Sequence, residues 1–405
     1  MAENLNQTPD ANRVHIGFFG KRNAGKSSIV NAVTNQDLSI VSEMKGTTTD
    51  PVLKTMELLP VGPVMIIDTP GIDDEGLVGE LRVRKARQIL NKTDVAVLVA
   101  DSTTGLGDTE NRLIELFREK SIPFIIAWNK QDLVEKTDLE PHEISVSATE
   151  NIHIWELKEK IAKFAKRAEN QKRIIGHLLD KSGVVILNCP IDESAPKMRM
   201  ILPQMQTIRD VLDAHAMCLV TQTEELADAI DALKQPPVMV VTDSQDFNKV
   251  KEIVPESITL TSFSILFAQF KGILETAVRG ARRVDSLKDG DVVLMSEGCT
   301  HHRQCEDLGT VKLPRWISEY TGKNLTYQFT SGGTFPEDLS PYALIVHCGG
   351  CMLNEREMRY RRKCAEDQGA YFTNYGTIIA HLNGILERSL QVYPELLEES
   401  DTEIA

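Results

Sequence analysis

Two groups of residues in this chain have the types and spacing to do chemistry. The first begins with Gly20-Lys21-Arg22-Asn23-Ala24-Gly25-Lys26-Ser27-Ser28. Its Gly-x4-Gly-Lys-Ser spacing follows an apolar run and opens a helical stretch, the context in which backbone N–H groups cradle phosphates. Lys26 would neutralise β- and γ-phosphate charge, and Ser27 would reach a magnesium ion. Downstream, Asp68-Thr69-Pro70-Gly71 ends another apolar run. There Asp68 can hold Mg²⁺ through water and the Gly71 N–H can meet a γ-phosphate. The second group is Cys299-Thr300-His301, answered by His347-Cys348-Gly349-Gly350-Cys351. The two-residue gap lets Cys348 and Cys351 face one metal centre, and both glycines leave N–H groups that can turn toward sulfur. Two Cys and two His could equally close a tetrahedral zinc site, and thiolate softness does not separate zinc from iron–sulfur.

Further motifs sharpen the first group. Asn129-Lys130-Gln131-Asp132 resembles the guanine-specificity motif of GTPases, in which Asp132 would accept from guanine N1 and N2, and Ser147-Ala148 resembles the last GTPase motif. Asn23 and Gly46-Thr47-Thr48 resemble the tRNA-modification and ribosome-assembly branch of small GTPases. That resemblance implies that Thr48 ligates Mg²⁺ and that Asn23, with the loop around Thr47 and Thr48, holds K⁺; a loop-shaping asparagine is the alternative. A monovalent cation between α- and γ-phosphates can stand where an arginine finger would act. Lys26, Thr48 and Gly71 are the candidate catalytic residues. The position after Gly71 is Ile72 rather than glutamine, and Glu80 is a nearby candidate for orienting water. Slow, switch-like GTP hydrolysis is expected.

The order Cys-x-His, 45 intervening residues, then His-Cys-x-x-Cys, behind a GTPase domain, is similar to the HydF family, the GTPases that mature iron–iron hydrogenases. The resemblance covers the whole chain. It implies a GTPase domain, a central dimerisation domain and a C-terminal cluster domain. It also implies a 4Fe–4S cluster bound by Cys299, Cys348 and Cys351, with a di-iron precursor as cargo. Radical-SAM maturases would supply that precursor and apo iron–iron hydrogenase would receive it. Three cysteines leave one iron open; His347 and then His301 are the candidates for a labile fourth ligand or for a donor to sulfur. The alternative is a ribosome-assembly or tRNA-modification GTPase with a structural zinc site.

These residues need elements to position them. Apolar runs at Val14 to Phe19, Val64 to Ile67, Val95 to Ala100, Phe124 to Trp128 and Glu143 to Val146, with a helix over Ile154 to Ala168, predict a parallel sheet flanked by helices. A second α/β block follows, with strands at Val184 to Leu187, Met217 to Val220 and Val238 to Val241 and helices near Gln204 to Ala214 and Glu224 to Leu233. A third, Rossmann-like block has strands at Asp291 to Met295 and Tyr342 to Val346 and helices near Asn354 to Gln368 and Thr377 to Leu390. The expected division is a GTPase domain over 1–172, a dimerisation domain over 173–257, a cluster domain over 258–395 and an acidic tail over 396–405.

At 405 residues the chain is too long for one core, and 41% hydrophobic residues can fill several. A formal net charge of −14 argues against nucleic acid and anionic membranes as partners. Without a long apolar run or a signal-peptide pattern, a cytoplasmic protein is expected. Seven cysteines, an odd number, point to metal rather than disulfides there. Cys189, Cys218, Cys305 and Cys364 read as packing residues. The run Arg356, Arg359, Arg361, Arg362 and Lys363 reads as a solvated helix face or a docking surface for an acidic partner.

Overall fold

The computed structural model describes residues 10–34, 52–59, 61–70, 88–168, 172–179, 183–191, 200–298, 307–332 and 334–398. Thr47, Thr48, Gly71, Ile72, Glu80, Cys299, His301 and Cys305 lie outside them. The chain divides into two compact units, Met1–Gln171 and Lys172–Ala405.

The first unit is built on a six-stranded sheet in the order β2-β3-β1-β4-β5-β6. Its strands are β1 (Val14–Phe19), β2 (Val52–Leu58), β3 (Gly62–Asp68), β4 (Val95–Asp101), β5 (Phe124–Asn129) and β6 (Glu143–Ser145). The central strands are nearly continuous apolar runs because helices cover both faces. On one face, Ile29, Val30 and Val33 of helix Lys26–Thr34 pack with Ile154, Leu157, Ile161 and Ala165 of helix Ile154–Ala168. On the other, Leu113, Ile114 and Phe117 of helix Asp108–Glu119 meet Phe19, Leu98 and Ile126. The sheet is not wholly parallel, as the apolar runs had implied: β2 pairs antiparallel with β3. Only three residues join these strands, which closes a hairpin but is too short for a parallel crossover.

The second unit carries two four-stranded sheets, and every described pairing in them is parallel. One has the order β10-β9-β7-β8, from β7 (Val184–Asn188), β8 (Met217–Thr221), β9 (Met239–Thr242) and β10 (Thr259–Ser262). The other has the order β12-β11-β13-β14, from β11 (Val292–Ser296), β12 (Thr326–Thr330), β13 (Leu344–His347) and β14 (Tyr371–Asn374). β10, which follows the sequence-based division at 257/258, belongs to the first of these sheets through its pairing with β9. A single buried core runs through both sheets, from Ile174 to Tyr393. The expected helix over Thr377 to Leu390 is two helices, Tyr375–Leu382 and Leu386–Ser389, separated by Gly384 at φ +64°. In each sheet the first strand has the second on one side and the third on the other. The strand order therefore reverses between β7 and β9 and between β11 and β13, and ligands of open α/β sheets bind beyond the carboxyl ends at such points.

Candidate functional site

Strand β1 delivers Gly20 to the start of the phosphate loop. Asn23 at φ +65° and Gly25 at φ +86° turn the chain so that a helix starts at Lys26, with Ile29 N–H on the Gly25 carbonyl at 2.9 Å. Asparagine tolerates this left-handed backbone better than most residues, which accounts for a loop-shaping role of the exposed Asn23. Lys26 is buried, while Ser27 and Ser28 are exposed on the first turn.

Asp68, the last residue of β3, meets Ser27. The Ser27 hydroxyl donates to Asp68 Oδ2 at 2.8 Å, and Asp68 Oδ1 is buried without a hydrogen-bond partner among the described residues. Burial raises the Asp68 pKa above the usual carboxylate value, against the pull of the Ser27 hydrogen bond and the Lys26 charge. A hydroxyl and a carboxylate with an unsatisfied oxygen, at a helix N-terminus, are hard oxygen donors suited to Mg²⁺ between protein and phosphates.

The guanine-side motifs converge at the ends of β5 and β6. Asn129 Nδ2 donates to the Ala24 carbonyl at 3.0 Å, and Asn129 Oδ1 accepts from Ala148 N–H at 3.2 Å. Asn129 thus ties the phosphate loop to the last motif. The Ser147 hydroxyl donates to Asp132 Oδ1 at 2.6 Å, orienting the carboxylate assigned to guanine. Lys130, at φ +69°, places its ammonium 2.5 Å from Asp101 Oδ2. Burial works to raise the Asp101 pKa, but hydrogen bonds from Lys130 and Thr103 outweigh it and hold the carboxyl low. Asp101 escaped sequence reading, as did Glu110, which accepts from Lys21 Nζ and Gly107 N–H, each at 3.0 Å. A carboxylate at the end of a strand beside a nucleotide loop was the only available signal for Asp101.

The His347–Cys351 half of the cysteine group lies at the β11/β13 reversal. His347 ends β13 and Cys348 follows it, its N–H on the Ser296 carbonyl of β11 at 2.8 Å. Cys348 Sγ accepts N–H bonds from Gly298 at 3.1 Å and Gly350 at 3.4 Å. Gly298 immediately precedes Cys299 in the sequence. Gly350 has φ +61°, and a Cβ there would stand 2.5 Å from Met358 Sδ, so both backbone and space favour glycine. Among the described residues, no three His, Cys, Asp or Glu side chains converge as a metal-binding group. Cys348 and Cys351 are both partly exposed. Soft sulfurs with N–H donors on one of them fit a thiolate-bound cluster, whose sulfurs are commonly hydrogen-bonded in this way.

His347 is fully buried and both of its ring nitrogens are engaged. Nδ1 lies 2.7 Å from the Cys348 carbonyl, and Nε2 lies 3.1 Å from Arg361 Nη1. An arginine can only donate, so Nε2 accepts and Nδ1 carries the proton. Burial, with the charges of Arg361 and Lys271, pushes the pKa of His347 down to about 3, against the bond to the Cys348 carbonyl, and the imidazole is neutral. Ligation of iron would require one of these bonds to be given up. Arg361 itself is fully buried, with Nε 2.9 Å from Glu357 Oε1 and Nη2 2.9 Å from the Gly332 carbonyl. This corrects the reading of the arginine run as one surface face. Arg361 points inward, and Arg359, Arg362 and Lys363 pair along the helix with Glu355, Glu366 and Asp367.

Lys271 was also missed. Its side chain is buried, and its ammonium donates to the carbonyls of Gly350 and Leu353, the latter at 2.8 Å. Burial pulls its pKa down to about 8, opposed by the negative charge of Cys351, Cys348 and Glu355. A lone lysine 79 residues from its partner loop leaves no motif to read.

Among the described residues, no helix is long and apolar enough to cross a membrane. Comparison with known families divides the chain into three stretches. Residues 15–130 match the family model described as 50S ribosome-binding GTPase. Residues 174–272 match the hydrogen maturase F dimerization domain, and residues 275–392 match the hydrogen maturase F tetramerization domain. Individual relatives match over the GTPase portion. The tRNA modification GTPase MnmE of Desulforamulus reducens is 35% identical over 155 residues, 36% of this chain and 33% of that protein. GTPase Der of Maridesulfovibrio salexigens is 37% identical over 134 residues, 32% of this chain and 29% of that protein. The chain therefore spans about a third of the length of such curated relatives. The two hydrogen maturase F models together cover more than half of the chain, in order behind a GTPase domain. The chain belongs to the hydrogen maturase F (HydF) family of hydrogenase-maturation GTPases.

Proposed function

We propose that this protein is a GTP-hydrolysing carrier that holds a 4Fe–4S cluster through Cys299, Cys348 and Cys351. It receives a di-iron precursor from radical-SAM maturases and hands it to apo iron–iron hydrogenase. The observation that carries this reading is the sulfur cradle at the β11/β13 reversal, where Cys348 Sγ already accepts two backbone N–H bonds. The family's dimerization and tetramerization domains make it a homo-oligomer.

In the GTPase domain, Lys26 and the helix N-terminus hold the phosphates, and Ser27, Asp68 and Thr48 serve Mg²⁺. Gly71 donates its N–H to the γ-phosphate, K⁺ sits at Asn23, and Asp132 selects guanine. Hydrolysis is slow, so nucleotide state acts as a switch on partner affinity. At the cluster, the iron without a cysteine ligand is the place where an incoming ligand of the precursor can attach. Because both nitrogens of His347 are engaged, His347 buttresses the Cys348 backbone and His301 remains the protein candidate for that iron.

The test loads wild-type and Cys348→Ala protein by co-production with the maturases and adds each to apo-hydrogenase. Wild type should restore hydrogen evolution and the variant should not, while both hydrolyse GTP at similar rates. Equal activation by the variant would remove the cluster from the mechanism. Maturase dissociation constants that are the same with GTP, GDP and no nucleotide would remove the switch.

A further inference from the structure

One polar group at the cysteine loop that no motif accounts for is the side chain of Lys271. It follows helix Phe263–Phe270, whose last turn leaves carbonyl groups and the negative end of the helix dipole near its backbone. The next residue, Gly272 at φ +68°, turns the chain under helix Glu355–Asp367, where Arg362 Nη1 donates to the Gly272 carbonyl at 3.3 Å. From the helix end the Lys271 side chain reaches the loop that runs from Gly350 to Leu353.

The two carbonyls it holds are not arbitrary. Gly350 lies between the two cysteines, and Leu353 precedes Asn354, whose side chain accepts from Glu357 N–H at 3.0 Å and caps the helix. Leu353 N–H also returns to the Gly350 carbonyl at 3.0 Å. One ammonium therefore fixes both ends of the turn that carries Cys351. Burying a lysine is costly unless opposite charge and hydrogen bonds answer it. Gly350 directly precedes Cys351 and lies two residues after Cys348, so the ammonium on the Gly350 carbonyl stands beside the cysteine loop. Glu355 already pairs with Lys172 at 2.6 Å and Arg359 at 2.5 Å. The cysteines, once they bind a cluster as thiolates, are then the groups whose charge Lys271 is placed to answer.

We infer that Lys271 is a positioning residue of the cluster site, pinning the Cys348–Cys351 loop through the Gly350 and Leu353 carbonyls and setting its ammonium beside the cysteines that would hold the cluster. This rests on the carrier reading for the identity of the bound group; the pinning itself does not. A positive charge beside an iron–sulfur cluster favours the reduced, more negative form. Lys271 thus raises the reduction potential of the cluster as well as shaping its seat.

Two variants of the full chain separate the two roles. Lys271→Met removes donor and charge, whereas Lys271→Gln keeps an N–H donor without the charge. Hydrogen exchange of the 348–354 segment in metal-free protein reads the pinning, and a dithionite titration after anaerobic reconstitution reads the charge. Lys271→Met should exchange this segment at least tenfold faster and release iron faster to a chelator. Lys271→Gln should exchange nearer the wild-type rate, and its cluster should titrate at a more negative potential. Wild-type exchange in Lys271→Met would overturn the pinning, and an unchanged potential in Lys271→Gln would overturn the charge role. If wild type takes up no iron, the carrier reading and the charge role fall, while the exchange result still decides the pinning.

Discussion

Replacing Arg361 by methionine should cost about 3–5 kcal/mol of the stability of the second unit, the range for removing one partner of a buried ion pair. The side chain is fully buried and serves three acceptors: Glu357 Oε1 at 2.9 Å, His347 Nε2 at 3.1 Å and the Gly332 carbonyl at 2.9 Å. Each acceptor left dry costs about 1–3 kcal/mol, and neighbours in one network do not add. The largest part is the stranded Glu357 carboxylate, because methionine restores much of the apolar volume but no donor. Replacing both Arg361 and Glu357 by methionine should therefore cost less than Arg361→Met alone. Urea unfolding followed by Trp316, the tryptophan of the second unit, reports the loss once Trp128 and Trp155 are changed to phenylalanine. A loss below about 1 kcal/mol, or a double variant less stable than Arg361→Met, would show that Arg361 does not hold Glu357 as a buried ion pair.

Two further outcomes follow from the site geometry. In Gly25→Ala the new Cβ would run into Asn129 Nδ2 at a backbone φ of +86°, so Asn129 must release the Ala24 carbonyl. Affinity for a fluorescent GTP analogue should fall at least tenfold, roughly 1.4 kcal/mol, with iron uptake by the cysteines unchanged; wild-type affinity would contradict it. Burial, aided by the charge of Asp243, pushes the Cys189 thiol up to about 12. At pH 8 its thiolate fraction is then on the order of 10⁻⁴, so iodoacetamide should scarcely modify it in folded protein. Its rate should climb about tenfold per pH unit up to pH 11. Peptide mapping by mass spectrometry reads this, and modification at pH 8 as fast as in urea would contradict it.

The central strands of the first sheet were legible because β4, buried on both faces from Val95 to Ala100, reads as one apolar run. The edge strands β6 and β8 were read as well, but other edge strands were not. β2, β12 and β14 expose side chains such as Val52, Phe329 and Tyr371 and mix them with Lys54, Gln328 and Asn374, so no period stands out. The nucleotide motifs were legible because phosphate chemistry fixes residue types at short spacing, and the structure brings Ala24, Asn129, Ala148, Asp132 and Ser147 into one bonded set. The support beneath the cysteines was hidden for the opposite reason. Lys271 acts on carbonyls, which every residue possesses, and Arg361 differs from its neighbours in the run only in the direction it faces.

Cys348, as the acceptor of two backbone N–H bonds, is the residue on which cluster binding turns. The most direct test is iron and sulfide analysis with electron paramagnetic resonance on wild type and Cys348→Ala, reconstituted without oxygen and reduced with dithionite. Wild type should hold about four irons per chain and give a reduced-cluster signal, both lost in the variant. Stoichiometric zinc with no reconstitutable cluster, or a signal that survives in Cys348→Ala, would contradict it.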